Sequence, residues 1–145
     1  MGIVLSNLKI IDSSVLRLWY NEYKLSAVIA DVLSLMIGLI ITRAIYYYVF
    51  DEFSMIKFIL LAVAVQITHD ILFYLFFTSV PRGLNRMLDT FKDYAIEASY
   101  KAIISDSIMI ISTCLIMSYL ANLSVNANII ILIITVYILQ YVLYW

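Results

Sequence analysis

Apolar residues fall into four long runs in which charge is almost absent, separated by short segments of a different pattern. The runs are 27–50 (AVIADVLSLMIGLIITRAIYYYVF), 54–80, which Pro81 ends, 102–120 (AIISDSIMIISTCLIMSYL) and 128–145 (NIIILIITVYILQYVLYW). A helix needs roughly 20 apolar residues to cross a bilayer. The isoleucine and valine content would suggest strands in water, but a run this long in lipid must satisfy its own backbone and becomes helical. Strict alternation, the mark of a barrel strand, is absent. Between the second and third runs, RMLDTFKDYAIEASYK places Met87, Leu88, Phe91, Tyr94, Ala95 and Ala98 at helical spacing. Arg86, Asp89, Lys92, Asp93 and Glu97 largely take the other face. That pattern predicts an amphipathic helix that lies among headgroups or docks on a partner. Val4, Leu8, Ile11, Val15, Leu18 and Trp19 predict a second one at the start of the chain. The expected fold is an all-α integral membrane protein: four transmembrane helices in a bundle, with cytoplasmic interfacial amphipathic helices. Its parts are an N-terminal interfacial segment (1–26), a first hairpin (27–80), an amphipathic helix (81–101) and a second hairpin (102–145).

Composition sharpens this picture. Of 145 residues, 65% are hydrophobic and only 13% charged, against about a quarter charged in a soluble domain; mean hydropathy is +1.02. The net charge of -1 argues against a nucleic-acid surface. Cys114 is the sole cysteine, so no internal disulfide and no cysteine-rich metal site is expected. The first apolar run has no small-x-small cleavage site and reads as a span rather than a signal peptide. Lys9, Arg17 and Lys24 precede the first span, and Arg82, Arg86, Lys92 and Lys101 lie between the second and third. The other two links carry only Lys57. Lysine and arginine mark the cytoplasmic side, so both termini and the middle loop should face it. Asn122-Leu123-Ser124 is a glycosylation sequon on the opposite side, too near the bilayer for ready use. MGIVLS matches the N-myristoylation pattern at Gly2; chance and modification both explain so short a match.

Ionisable residues inside the spans are the candidate chemistry. In QITHDILFYLFF, His69 and Asp70 lie about 15 Å from the cytoplasmic end of the second span. An unpaired charge there costs several kcal/mol, so such groups face inward and find partners. Adjacent residues point about 100° apart on a helix, which argues against a simple His69–Asp70 pair. Gln66, His69 and Asp70 instead form one polar stripe. Asp31 and Asp106 sit about one turn inside spans one and three, with Ser34, Ser105, Ser112 and Thr113 nearby. Ala30, Ser34, Gly38 and Thr42 recur every fourth residue, a spacing of small side chains that lets helices approach closely. The expectation is a polar seam of Gln66, His69, Asp70, Asp31 and Asp106. Either it fixes helix register, the preferred reading, or it forms a proton or cation path. Arg43 is expected to snorkel toward Asp51 or Glu52 beside Tyr46, Tyr47 and Tyr48.

A shift of 75 residues lays Glu22, Ala27, Ile29 and Asp31 on Glu97, Ala102, Ile104 and Asp106. Each half would then be an interfacial helix followed by a two-span hairpin, a parallel repeat. The echo fails in spans two and four, and apolar segments resemble one another cheaply. Catalysis finds no support: one histidine excludes a His-pair zinc motif, and there is no Gly-x-Ser-x-Gly elbow, TVGYG filter or Gly-rich phosphate loop. No enzyme activity, cofactor or metal is expected, and Cys114 reads as a small core residue.

THDILFYLFF, followed by PRGLNRMLDTFKDYAIEASYKAIISDSIMII, resembles a small multi-span membrane protein of nucleocytoplasmic large DNA viruses. The resemblance covers 61–113, and the isoleucine-, tyrosine- and asparagine-rich usage is compatible with an AT-rich viral genome. It implies a virion or internal-membrane protein, points to His69, Asp70, Asn85, Asp89, Asp93, Tyr94 and Asp106, and carries over no active site. The leading expectation is thus a non-enzymatic, capsid-associated component of a virion internal membrane or host endomembrane. Arg86, Asp89, Lys92, Asp93 and Tyr94 would contact other virion or membrane proteins, or further copies of the chain. The alternative is a small transporter or proton/ion conductor that uses the buried Asp and His side chains.

Overall fold

A computed structural model describes residues 14–144, in which the secondary structure is helical. The helices are α1 (Ser14–Val49), α2 (Met55–Ser79), α3 (Arg86–Ala98), α4 (Tyr100–Leu120) and α5 (Val125–Leu143). Of these, α1, α2, α4 and α5 are long and apolar enough to cross a membrane. Gly2 and the first apolar positions of the N-terminal segment lie outside the described residues.

Two backbone breaks organise the chain. α1 is bent at Lys24 (φ 43°, ψ -113°), which separates a leading segment, 14–23, from the long apolar part. α3 and α4 are separated by Ser99 (φ 48°, ψ -131°). Positive φ in a residue with a Cβ costs on the order of 1 kcal/mol, so neither break arises from local preference. Lys24 and Ser99 stand 75 residues apart, the same shift that relates Glu22 to Glu97 and Asp31 to Asp106. In each half a short helix meets a positive-φ residue and an apolar helix follows, with an aspartate seven residues past the break.

The short helices clasp each other reciprocally. Glu97, near the end of α3, accepts from the backbone N–H of Ser14 (2.7 Å) and of Val15 (3.0 Å) at the start of α1. Glu22, near the end of the leading segment, pairs with Arg86, the first residue of α3. Each short helix therefore places its tail at the other's start, an antiparallel pair. The first contact caps open N–H groups with negative charge, as a helix start prefers. Between them Trp19 and Phe91 meet in a tilted ring contact with centroids 4.7 Å apart.

Packing follows the small residues. Gly38 and Thr42 are buried on α1 facing α2, where a Cβ on Gly38 would come within 3.5 Å of the Gln66 Oε1. Leu39, Ala62, Ile110 and Cys114 form the buried core shared by α1, α2 and α4, with Leu35, Phe58 and Val63 against it. α2 thus lies between α1 and α4. α5 packs on α1 and buries only Leu143. The α1–α2 turn is held by Tyr46, 1% exposed, whose hydroxyl accepts from Ser54 N–H (2.8 Å) and donates to the Glu52 carbonyl (3.0 Å). Tyr47 and Tyr48 point outward. Arg43 is exposed, and among the described residues it makes no ion pair with Asp51 or Glu52, contrary to the expectation; Tyr46 engages the Glu52 backbone instead.

Ordinary contact distance at Gly38 sets the outcome of substitution there. Gly38→Ala is expected to be neutral or stabilising by up to about 1 kcal/mol, since alanine favours helix. Gly38→Leu should cost about 1–3 kcal/mol through overpacking against α2. Unfolding titrations in detergent check both, and a leucine variant as stable as wild type would contradict this packing.

Candidate functional site

Asp31 and Asp106 enter the same space because each follows its break at equal spacing, and α2 brings Gln66, His69 and Asp70 to meet them. These five residues, the whole of the expected seam, line one cavity of about 400 Å³ bounded by α1, α2, α3 and α4. Tyr20, Trp19, Phe73, Phe91, Tyr94, Ser34 and Ser105 complete much of its wall. No lysine or arginine lines it among the described residues. By periodicity Trp19 and Phe91 belong to the apolar faces of interfacial helices. Only the folding of both short helices over the acids turns those faces into cavity wall, and helical periodicity carries no signal of that.

The hydrogen bonding is incomplete. Tyr20 donates to Asp31 Oδ2. Gln66 Nε2 donates to Asp70 Oδ1 at 2.8 Å, and His69 Nδ1 lies 3.2 Å from the same oxygen. The His69–Asp70 contact corrects the expectation from helical geometry. Cα directions diverge, but a side-chain rotation brings the imidazole back to its neighbour while its ring stacks on Phe73 at 5.9 Å. Gln66 Oε1 and Asp70 Oδ2 are buried without partners. Tyr94, contributed by α3, has its phenol pushed above the ordinary range by burial and then by Asp106 and Asp31. It therefore stays a neutral O–H donor at the cavity edge.

The polar face of α3 is engaged within the chain. Asn85 caps the helix, its Oδ1 accepting from Met87 and Leu88 N–H groups at 3.0 and 3.1 Å. Gly83 (φ 89°) turns the preceding loop and donates its N–H to Asp89 Oδ2 at 2.8 Å. Arg82 pairs with Asp93 at 2.9 Å, and Arg86 reaches Glu22. Lys92, expected on an outward partner-binding face, is only 8% exposed. Its ammonium donates to the Val80 carbonyl (2.6 Å) and to Asp89 (3.3 Å). The carbonyls at the end of α2 have no intrahelical donor, and Lys92 supplies one. Tyr94 likewise faces the cavity rather than standing free. The Gly83 N–H, then Lys92, hold the Asp89 carboxyl below the usual carboxylate range.

No group of three or more His, Cys, Asp or Glu side chains among the described residues is arranged to hold a metal ion. No family model, curated protein or solved structure matches this chain.

Two outcomes follow from the α3 contacts. An amine-reactive label should modify exposed Lys101 and spare Lys92 in the folded protein, read by peptide mass spectrometry; equal modification would contradict the buried contact. Because the folded Asp89 pKa lies below its unfolded value, its contribution is complete above about pH 4. It is lost as pH falls through the lower folded value. The Gly83 amide resonance should shift in that acidic window, and Asp89→Asn should abolish the titration.

Proposed function

We propose that the protein is a non-enzymatic multi-pass membrane protein that takes up a proton or small cation in this cavity. This is the transporter or conductor reading of the polar seam. The observation that carries it is the cavity's chemistry: three carboxylates and one imidazole face a volume of about 400 Å³, and two buried acceptors have no donor. A polar cluster that serves only helix register does best with its hydrogen bonds closed. This one leaves two buried acceptors unsatisfied beside a cavity that three carboxyl side chains line. Three of the four spans, α1, α2 and α4, pack around it with α3, and α5 lies against α1. The leading segment and α3 lie as amphipathic helices in the cytoplasmic headgroup region, with both termini on that side, as the arginine and lysine distribution favours.

A second reading is a structural component of a virion internal membrane, associated with other membrane proteins or further copies of the chain. It rests on the viral resemblance and on α5, which fully buries only Leu143 and leaves most of its other apolar side chains exposed.

Liposomes loaded with a pH dye separate the two. Wild type should carry proton or cation flux, and Asp70→Asn should abolish it with thermal stability unchanged, because an amide neither takes up nor releases a proton near neutral pH. Absence of flux in wild type would favour the structural reading. Stability should then fall by about 0.5–2 kcal/mol in Asp70→Leu, the range for hydrogen bonds between membrane helices, and hold in Asp70→Asn. For topology, single cysteines at 84 and beyond 144 in a Cys114→Ala chain should label from the cytoplasmic side, and one at 126 should be protected. Labelling of the 84 site from outside would overturn the orientation.

A further inference from the structure

The cavity lies where the two halves of the chain meet, and the 75-residue shift relates its walls. Asp31 and Asp106 line it, and so do their neighbours Ala30 and Ser105 and the more distant pair Trp19 and Tyr94. With the matching breaks at Lys24 and Ser99 and the reciprocal contacts of Glu97 and Glu22, these pairs place corresponding residues of both halves around one cavity. One carboxylate arrives from each half.

What such a site accepts follows from its two kinds of surface. The polar part is rich in acceptors. Gln66, 4% exposed, lines the cavity, and its Oε1 is buried without a donor. Asp70 Oδ2 also has none, and Asp106 accepts no hydrogen bond from any described residue. An ammonium group carries three donors and no acceptor. The rest of the wall is aromatic, with Trp19, Phe73, Phe91 and Tyr94 presenting rings. Rings attract an organic cation through their faces and shelter its apolar body. They offer nothing to a hydrated inorganic ion, and no metal-holding group is present among the described residues. The volume falls within the roughly 300–1,000 Å³ of small-molecule pockets.

Resting on the cation-binding reading above, we infer that the ligand of this cavity is a small organic cation. It is a protonated amine with an apolar or aromatic body, its ammonium held between the two repeat-related carboxylates. Asp106 is the principal contact, because Asp31 is already engaged by Tyr20. Gln66 and Asp70 line the same cavity beside the ammonium, and the body lies against Trp19 and Phe91.

Trp19 reports on the site directly. The full chain, with Trp145→Phe so that Trp19 is the only indole, is titrated in uncharged detergent with 2-phenylethylamine, with its neutral analogue 2-phenylethanol, and with potassium and calcium chloride. The amine should give a saturable change in Trp19 fluorescence, with the alcohol at least tenfold weaker. Asp106→Asn should weaken the amine tenfold or more and Asp31→Asn less, while Asp106→Glu recovers part of the loss. Thermal unfolding of each variant shows that it is folded. Equal responses to amine and alcohol, or wild-type binding by a folded Asp106→Asn, would overturn the proposal. Saturation by potassium or calcium that displaces the amine would overturn the organic class yet leave the cation-binding function standing. No response to the amine or to either salt would overturn the proposal, and the liposome flux assay decides the cation-binding function separately.

Discussion

A carboxylate withdrawn from water beside lipid must be protonated, hydrogen-bonded or met by a cation. This chain withdraws three at one place. Two backbone breaks, each costing on the order of 1 kcal/mol, bring the short helices back over Asp31 and Asp106. Small residues at Gly38 and Thr42 let α1 approach α2 closely enough for Gln66 and Asp70 to join them. The aromatic residues of the short helices then close the space, so that a membrane-surface pattern becomes part of an interior.

The long helices were legible in the sequence because lipid removes the alternatives: an apolar run of span length has no conformation open to it but a helix. The seam was legible too, since ionisable residues are rare in such runs and Gln66, His69 and Asp70 share a helix stripe. Other features were not. Nothing in the preference of lysine or serine announces a positive φ at Lys24 and Ser99; tertiary contact imposes it, and only the 75-residue echo hinted that the two positions correspond. Lys92 looked like a surface charge because periodicity assigns a face without saying what covers it. The carbonyl end of α2, where Val80 accepts from it at 2.6 Å, gave that ammonium a reason to turn inward. His69 and Asp70 were separated by backbone geometry alone, and a side-chain rotation undid the separation.

The two halves are alike where they meet and unlike where they do not. The short helices, the breaks and the aspartates correspond, and the short helices and aspartates line the shared cavity. α2 and α5, the second apolar helices of the two halves, do not correspond in sequence. α2 lies between α1 and α4, so its side chains are constrained by neighbours on several faces. α5 buries only Leu143, so hydrophobicity is the main demand on most of its positions. Lys24 ties α5 to the first break, donating to the Leu143 carbonyl at 3.3 Å and lying 4.6 Å over the Tyr144 ring.

The carboxylate that caps the start of α1 belongs to Glu97, 83 residues downstream of Ser14. During synthesis, the opening turn of α1 leaves the ribosome long before that cap exists. At roughly 5–20 residues per second, the wait is on the order of 4–17 s. For nearly all of it the leading segment has neither Glu97 nor the Phe91 ring to rest on. Its docking is therefore a late event of maturation, set by the arrival of the second half.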